Sequence, residues 1–270
     1  MATLADHGAC PDRFGHLEGF RVETNQGGSR VDIVLDRPPL NLISLRQGEH
    51  LSAVFSALDT DPAVRVIVVR AEGEHFSSGG DVDGVADATP AQRAQLALHM
   101  DAPSRCSKLV IAANRGYCFG TGFELSLACD FRIATETTLY ALPARKLGAS
   151  GGAGAAARLL KTVGIGRTKD IVMRARYIRG AQAYEWGVAT EFVVDTELER
   201  ATDALVHELL GFSPLEQRIA KKLLNDIEGS PSPVSGSEAH DPRSASCARK
   251  SPANANVPIW RRLSSAGKTS

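Results

Sequence analysis

An excess of charge of either sign is missing from this sequence: its 270 residues carry 31 Lys plus Arg against 31 Asp plus Glu, so the formal net charge is zero. The broad cationic field on which nucleic-acid and anionic-membrane binding draws is therefore absent. Long apolar runs are missing too. No stretch reaches the about 18 residues of a membrane span, and the N-terminus shows neither a basic nor an apolar targeting segment. The expectation is a cytoplasmic protein with no membrane and no nucleic-acid partner. The five cysteines (Cys10, Cys106, Cys118, Cys129 and Cys247) are odd in number and form no C-x-x-C, which argues against a disulfide framework and against a zinc ribbon. Aromatic residues are few at 6%, yet 43% apolar and 23% charged residues make a globular composition and exclude a wholly disordered chain.

What is present reads as strands alternating with helices, the mark of an α/β fold. Residues 1–18 show no apolar periodicity and read as a flexible leader. Arg30 to Leu35 alternates like a strand, and Val64 to Arg70 is a near-continuous β-branched run of the kind buried on both faces. Between them Ser44 caps a helix over Leu45 to Leu58, and Pro90 to Met100 has helical spacing. Leu109 to Ala113 and Phe131 to Ala134 read as further strands, with a helix over Phe123 to Cys129 between them. Helices dominate the second half: Gly154 to Val163, Ile165 to Arg174, Gly180 to Gly187, Leu198 to Leu210, and a last one opened by Ser213 and Pro214 that runs to about Ile227. Residues 229–270 hold 10 Ser and 5 Pro but only five of Val, Ile, Leu, Met, Phe and Trp, too few to offset the entropy of ordering, so a disordered tail is expected there.

Two glycine-rich loops carry the chemical interest. Phe76-Ser77-Ser78-Gly79-Gly80-Asp81 follows the strongest strand, and its paired glycines allow backbone N–H groups to point outward as a nest for a developing anion. Asn114-Arg115-Gly116-Tyr117-Cys118-Phe119-Gly120-Thr121-Gly122-Phe123-Glu124 follows the next strand and opens onto a helix, whose N-terminus offers unpaired donors and a positive potential. Taken singly, the first reads as an ordinary strand-end turn before it reads as a site, and Glu124 reads equally as an acid complementing the helix dipole. Gly148-Ala149-Ser150-Gly151-Gly152 satisfies G-x-S-x-G, but Arg145 and Lys146 stand where a nucleophile elbow needs a buried strand. Gly120-Thr121-Gly122 lacks the third glycine of a dinucleotide fingerprint. His75 reads as a turn histidine, and Cys118 and Cys129 as packing residues.

Together the two loops resemble the crotonase superfamily of enoyl-CoA hydratases and isomerases. Phe76 to Asp81 is similar to that family's F-x-[AS]-G-x-D, and Asn114 to Glu124 to its N-G-x-x-x-G-x-G-x-E, with Arg115 as an added letter. Ala128-Cys129-Asp130-Phe131-Arg132-Ile133-Ala134, Asp36-Arg37-Pro38 with Leu40-Asn41, Leu142-Pro143, Gly151-Gly152 and Ala220-Lys221-Lys222 continue the resemblance in order. It implies a spiral of β-β-α turns over 19–195, a shortened helical oligomerisation region over 196–228, and assembly as a homotrimer or a dimer of trimers. It implies an acyl-CoA thioester as substrate, coenzyme A arriving with that substrate and no other cofactor. The oxyanion hole would be the N–H groups of Ser78 and Thr121, with Glu124 as acid/base and Phe76, Gly79, Gly80, Asp81, Gly120, Pro143, Ala144 and Gly152 lining the substrate.

The resemblance also exposes two departures. Hydratases of this family carry a second glutamate directly after a proline, and that position here is Ala144, which cannot transfer a proton. The residues after about Ser230 do not match the family's usual ending. Both keep open a catalytically weakened acyl-CoA-binding homologue, or another reaction of the superfamily such as thioester hydrolysis or carbon–carbon cleavage.

Overall fold

The computed structural model describes residues 8–9, 14–81, 84, 87–142 and 153–228. Among the described residues ten strands fall in chain order: β1 (Gly8–Ala9), β2 (Phe20–Asn25), β3 (Arg30–Leu35), β4 (Val66–Ala71), β5 (Leu109–Ala113), β6 (Tyr117–Phe119), β7 (Phe131–Thr135), β8 (Leu139–Ala141), β9 (Ile178–Arg179) and β10 (Glu191–Val193). The helices are α1 (Leu45–Thr60), α2 (Pro90–Met100), α3 (Ala102–Arg105), α4 (Thr121–Ala128), α5 (Ala153–Arg174), α6 (Gly180–Glu185), α7 (Leu198–Leu210) and α8 (Pro214–Glu228). Seven strands form one sheet in the order β1-β2-β3-β4-β5-β7-β10, antiparallel up to β3 and parallel from β3 onward. β6, β8 and β9 form a second, small sheet. The α/β architecture agrees with the sequence expectation.

The near-continuous apolar runs of β4 and β5 arise because both faces of the sheet are covered. Ile67, Val69, Val110 and Ala112 pack with Leu51, Val54, Phe55 and Leu58 of α1, while Val66, Val68, Leu109 and Ile111 pack with Leu198, Leu205, Val206 and Leu209 of α7. Toward β2 the α7 side of the sheet turns from apolar to charged. Asp32 of β3 pairs in register with Glu23 and Val68, and a ladder of ion pairs crosses this face from Asp203 through Arg30, Asp32 and Arg70 to Glu23 and Arg21.

Local signals explain the helix boundaries. Ser44 accepts from the Gln47 N–H at 3.0 Å and starts α1, and Thr89 with Gln92 forms a reciprocal cap on α2. The two helices read over 154–174 are the two halves of α5, broken at Gly164 (φ 77°). The leader differs from expectation where it is described: Gly8–Ala9 pairs with β2, and Phe14 and Leu17 pack on the core. The tail over 229–270 lies outside the described residues.

α8 is anchored by polar groups. The Lys221 Nζ donates to the carbonyls of Pro103 (3.0 Å) and Lys108 (2.8 Å) and to the Asp130 carboxylate (2.7 Å), while the Asn225 amide donates to the Ser104 carbonyl at 2.9 Å. Its apolar residues Leu215, Ile219, Leu223 and Ile227 are exposed. A cavity of about 760 Å³ separates α8 from the end of α4 and from Arg158, Lys161 and Thr162 in the first half of α5, beside the first residues of β5 and β7. The glycine-rich loops lie elsewhere, following the last residues of parallel β4 and β5 at the carboxyl edge, where open α/β sheets place their ligand sites. No helix among the described residues is long and apolar enough to cross a membrane.

Candidate active site

After β4 the chain turns at Gly73 (φ 82°) and buries Phe76 completely. From there a backbone inventory locates the site. The Phe76 N–H donates to Arg115 O (3.0 Å), Ser77 to Tyr117 O (2.8 Å), Ser78 to Leu40 O (2.9 Å) and Asp81 to Ile43 O (2.9 Å). The Gly79 N–H donates to the Ser77 hydroxyl at 3.1 Å. Gly80 alone of residues 76–81 keeps an N–H without an acceptor among the described residues. The cause is the parallel bridge between Ile43 and Gly80: Ile43 donates to Gly79 O and accepts from the Asp81 N–H, so Gly80's own groups face the other side.

This corrects the sequence reading, in which Ser78 supplied the oxyanion donor. The Ser78 N–H is already committed to Leu40, 38 positions upstream, and the free donor is two residues later.

The second loop is stitched to the first. Ser77 and Cys118 form a parallel bridge, with Phe119 N–H donating to Ser77 O at 2.9 Å. Gly79 has φ 109°, and a Cβ there would lie 3.1 Å from the Phe119 carbonyl, so only glycine fits. Gly120 donates to Ala141 O at 2.9 Å and accepts from the Glu124 N–H at 2.9 Å, which starts α4. The Thr121 N–H is the first of that helix's orphan donors and has no acceptor among the described residues. Glu124 lies one turn on, half-buried, on the same helical face as Thr121. The structure thus brings together Phe76, Gly79, Gly80, Gly120, Thr121 and Glu124. The Asp81 carboxylate is held by Arg37 at 2.9 Å, which fastens the loop to the segment after β3. Pro143, Ala144 and Gly152 lie outside the described residues.

Beneath the loops the side chains are buried and neutral. The Asn114 Oδ1 accepts from the Ser126 hydroxyl on α4 and the Tyr140 hydroxyl on β8, both at 2.9 Å, tying the helix to the small sheet. Burial pushes the Cys118 thiol well above its usual range and Cys129 up to about 12, so both are packing residues rather than nucleophiles. Among the described residues no group of three His, Cys, Asp or Glu side chains is placed to hold a metal ion.

The profile of the family described as Enoyl-CoA hydratase/isomerase matches residues 26–233, most of the chain and both loops. The chain belongs to the enoyl-CoA hydratase/isomerase family. Among its relatives in that family, carnitinyl-CoA dehydratase of Salmonella arizonae is 34% identical over 214 residues, covering 76% of this chain and 80% of the relative. The protein of the same name from Escherichia coli K12 is 32% identical over 212 residues, covering 75% and 79%. Of solved structures, the enoyl-CoA hydratase of Bacillus anthracis superposes with a TM-score of 0.73 at 29% identity, over 78% of this chain and 84% of that one.

For this hydratase/isomerase family member the closeness of the two loops sets a steric limit. A Cβ on Gly122 would sit 2.6 Å from the Cβ of fully buried Ser77 and 2.9 Å from its hydroxyl. Gly122→Ala is expected to push α4 off the first loop and to cost about 1–3 kcal/mol of stability, read as a lower denaturation midpoint with an unchanged slope. An unchanged midpoint would mean that the loops separate freely.

Proposed function

We propose that this protein is a hydratase-type lyase that adds water to, or removes it from, an acyl-CoA thioester. The thioester oxygen would accept from the N–H groups of Gly80 and Thr121, and Glu124 would move the proton. The observation that carries this reading is the Gly80 N–H, without an acceptor among the described residues, on a loop bonded directly to the loop that opens α4. Polarising the carbonyl makes Cβ of an enoyl thioester electrophilic. Water then adds to Cβ while its proton passes to the Glu124 carboxylate, the enolate oxygen gathers charge between the two donors, and Glu124 returns the proton to Cα. Dehydration of a β-hydroxyacyl thioester is the same path reversed, and the dehydratase names of the relatives support that direction. The reaction needs no cofactor beyond the coenzyme A of the substrate.

Ala144 favours a second reading, an acyl-CoA-binding homologue with weakened catalysis, or hydrolysis or carbon–carbon cleavage through the same enolate. Short and long trans-2-enoyl-CoA thioesters separate these readings. Loss of the conjugated enoyl absorbance with saturation kinetics is the result expected here. Binding without that loss gives the binding protein, release of free thiol gives hydrolysis, and neither binding nor turnover rejects the acyl-CoA reading. The exposed apolar stripe of α8 supports assembly as a homotrimer or a dimer of trimers, and the free thiols Cys106, Cys118 and Cys129 support a cytoplasmic setting.

A further inference from the structure

The segment that aims the Gly80 N–H is itself held by one side chain. Asn41 is 2% exposed and has φ 50°, in the left-handed region that asparagine tolerates better than most side chains. Its Oδ1 accepts from the Arg37 N–H at 2.8 Å. Both Nδ2 hydrogens are used, on Glu72 O at 2.9 Å and His75 O at 2.8 Å, the two ends of the turn that leads into the first loop. Its own carbonyl accepts from the Ser77 hydroxyl at 2.7 Å, and the same hydroxyl receives the Gly79 N–H. The neighbouring carbonyl of Leu40 takes the Ser78 N–H, and Ile43 forms the bridge with Gly80.

We infer that Asn41 is a positioning residue for the oxyanion site: its amide, without touching substrate, fixes where the Gly80 N–H points. The inference rests on the Gly80–Thr121 reading above. The chemistry is specific to an amide, which supplies two donors and one acceptor from one planar group. Glycine at this position keeps the backbone conformation but leaves the Glu72 and His75 carbonyls without their donor. Aspartate keeps the Arg37 bond but sets an acceptor against two carbonyls. In either case the turn relaxes toward solvent and Gly80 loses its direction.

The test uses the full-length chain with Asn41→Gly and Asn41→Asp, two readouts and a thermal melt. The first readout is turnover of a short trans-2-enoyl-CoA. The second is the absorbance of bound cinnamoyl-CoA, whose conjugated carbonyl shifts to the red when hydrogen-bond donors polarise it. Removing an oxyanion donor costs about 10²–10³-fold in kcat, so a misdirected one is expected to cost about 10–100-fold. KM should stay within about threefold, since the weakened bond is one ground-state contact among many and gains most of its strength only as the oxygen becomes charged. The red shift should shrink in both variants even where the melt is little changed, which a purely structural role would not produce. Wild-type kcat and red shift in the variants would overturn the inference. So would a raised KM at constant kcat, or failure of both variants to fold, which would make Asn41 a determinant of the fold. Absence of both turnover and red shift in the wild-type protein would instead reject the Gly80–Thr121 reading, and the inference with it.

Discussion

Glu124→Gln is expected to lower hydration of a trans-2-enoyl thioester by about 10²–10⁴-fold, the usual contribution of a general acid–base group. The amide is nearly the same shape as the carboxylate, so thioester affinity should stay close to wild type. The loss belongs in kcat and kcat/KM together, because the proton moves only in the transition state. A glutamate that merely complemented the N-terminus of α4 would give a different result, a stability change of about 0.3–1 kcal/mol with turnover intact. Steady-state kinetics and equilibrium binding of the same thioester, measured on one preparation, separate the two outcomes.

Lys221→Met is expected to destabilise the fold by about 3–5 kcal/mol, the range for removing one partner of a buried ion pair. Asp130 is the reason. Burial pushes its carboxyl above the usual range, against the opposing pull of Lys221, and the Val110 N–H donates to it at 2.8 Å. Without the ammonium group the folded-state pKa rises further above its unfolded value of about 3.9. Below that value Asp130 is protonated in both states and costs little. As pH rises, the folded state must either hold a proton or bury a bare charge, so the destabilisation grows by up to about 1.4 kcal/mol per pH unit until the folded carboxyl ionises. The gap between the denaturant midpoints of wild type and variant should therefore be smallest near pH 4 and widen toward pH 7. A gap independent of pH would show that Lys221 acts through packing and its bonds to the Pro103 and Lys108 carbonyls rather than through Asp130.

Elements whose cause is local were legible in the sequence. The Ser44 cap, the period of α1 and the β-branched run of β4 each depend on a few neighbouring residues, and the structure places all three within two residues of their expected bounds at one end or both. β6 and β8 are not legible in the sequence because three residues make no periodicity, and they are strands because they pair with each other and, for β8, with β9. The site divides in the same way. Both glycine-rich loops were visible as turns following strands, and their resemblance to known motifs joined them. Which N–H of the first loop stays free was not visible, because Leu40 and Ile43 decide it from far upstream. The Asn41 clamp was hidden for the same reason: its partners at Glu72 and His75 are brought near only by the parallel pairing of β3 with β4.

That single bridge between Ile43 and Gly80 acts as a ruler. The bridge spends the Gly79 carbonyl and the Asp81 N–H on Ile43, so the residue between them is the one that presents its donor outward. One residue added to or removed from the stretch 40–43 would hand that position to a neighbour of Gly80. Were Asp81 the neighbour, a carboxylate would accompany the donor to an oxygen that must gather negative charge. Apart from the Asn41 amide and buried Ile43, the segment is constrained by its length rather than by its side chains, so an insertion there, far from any reacting group, is expected to cost activity although every residue of the proposed site is still present.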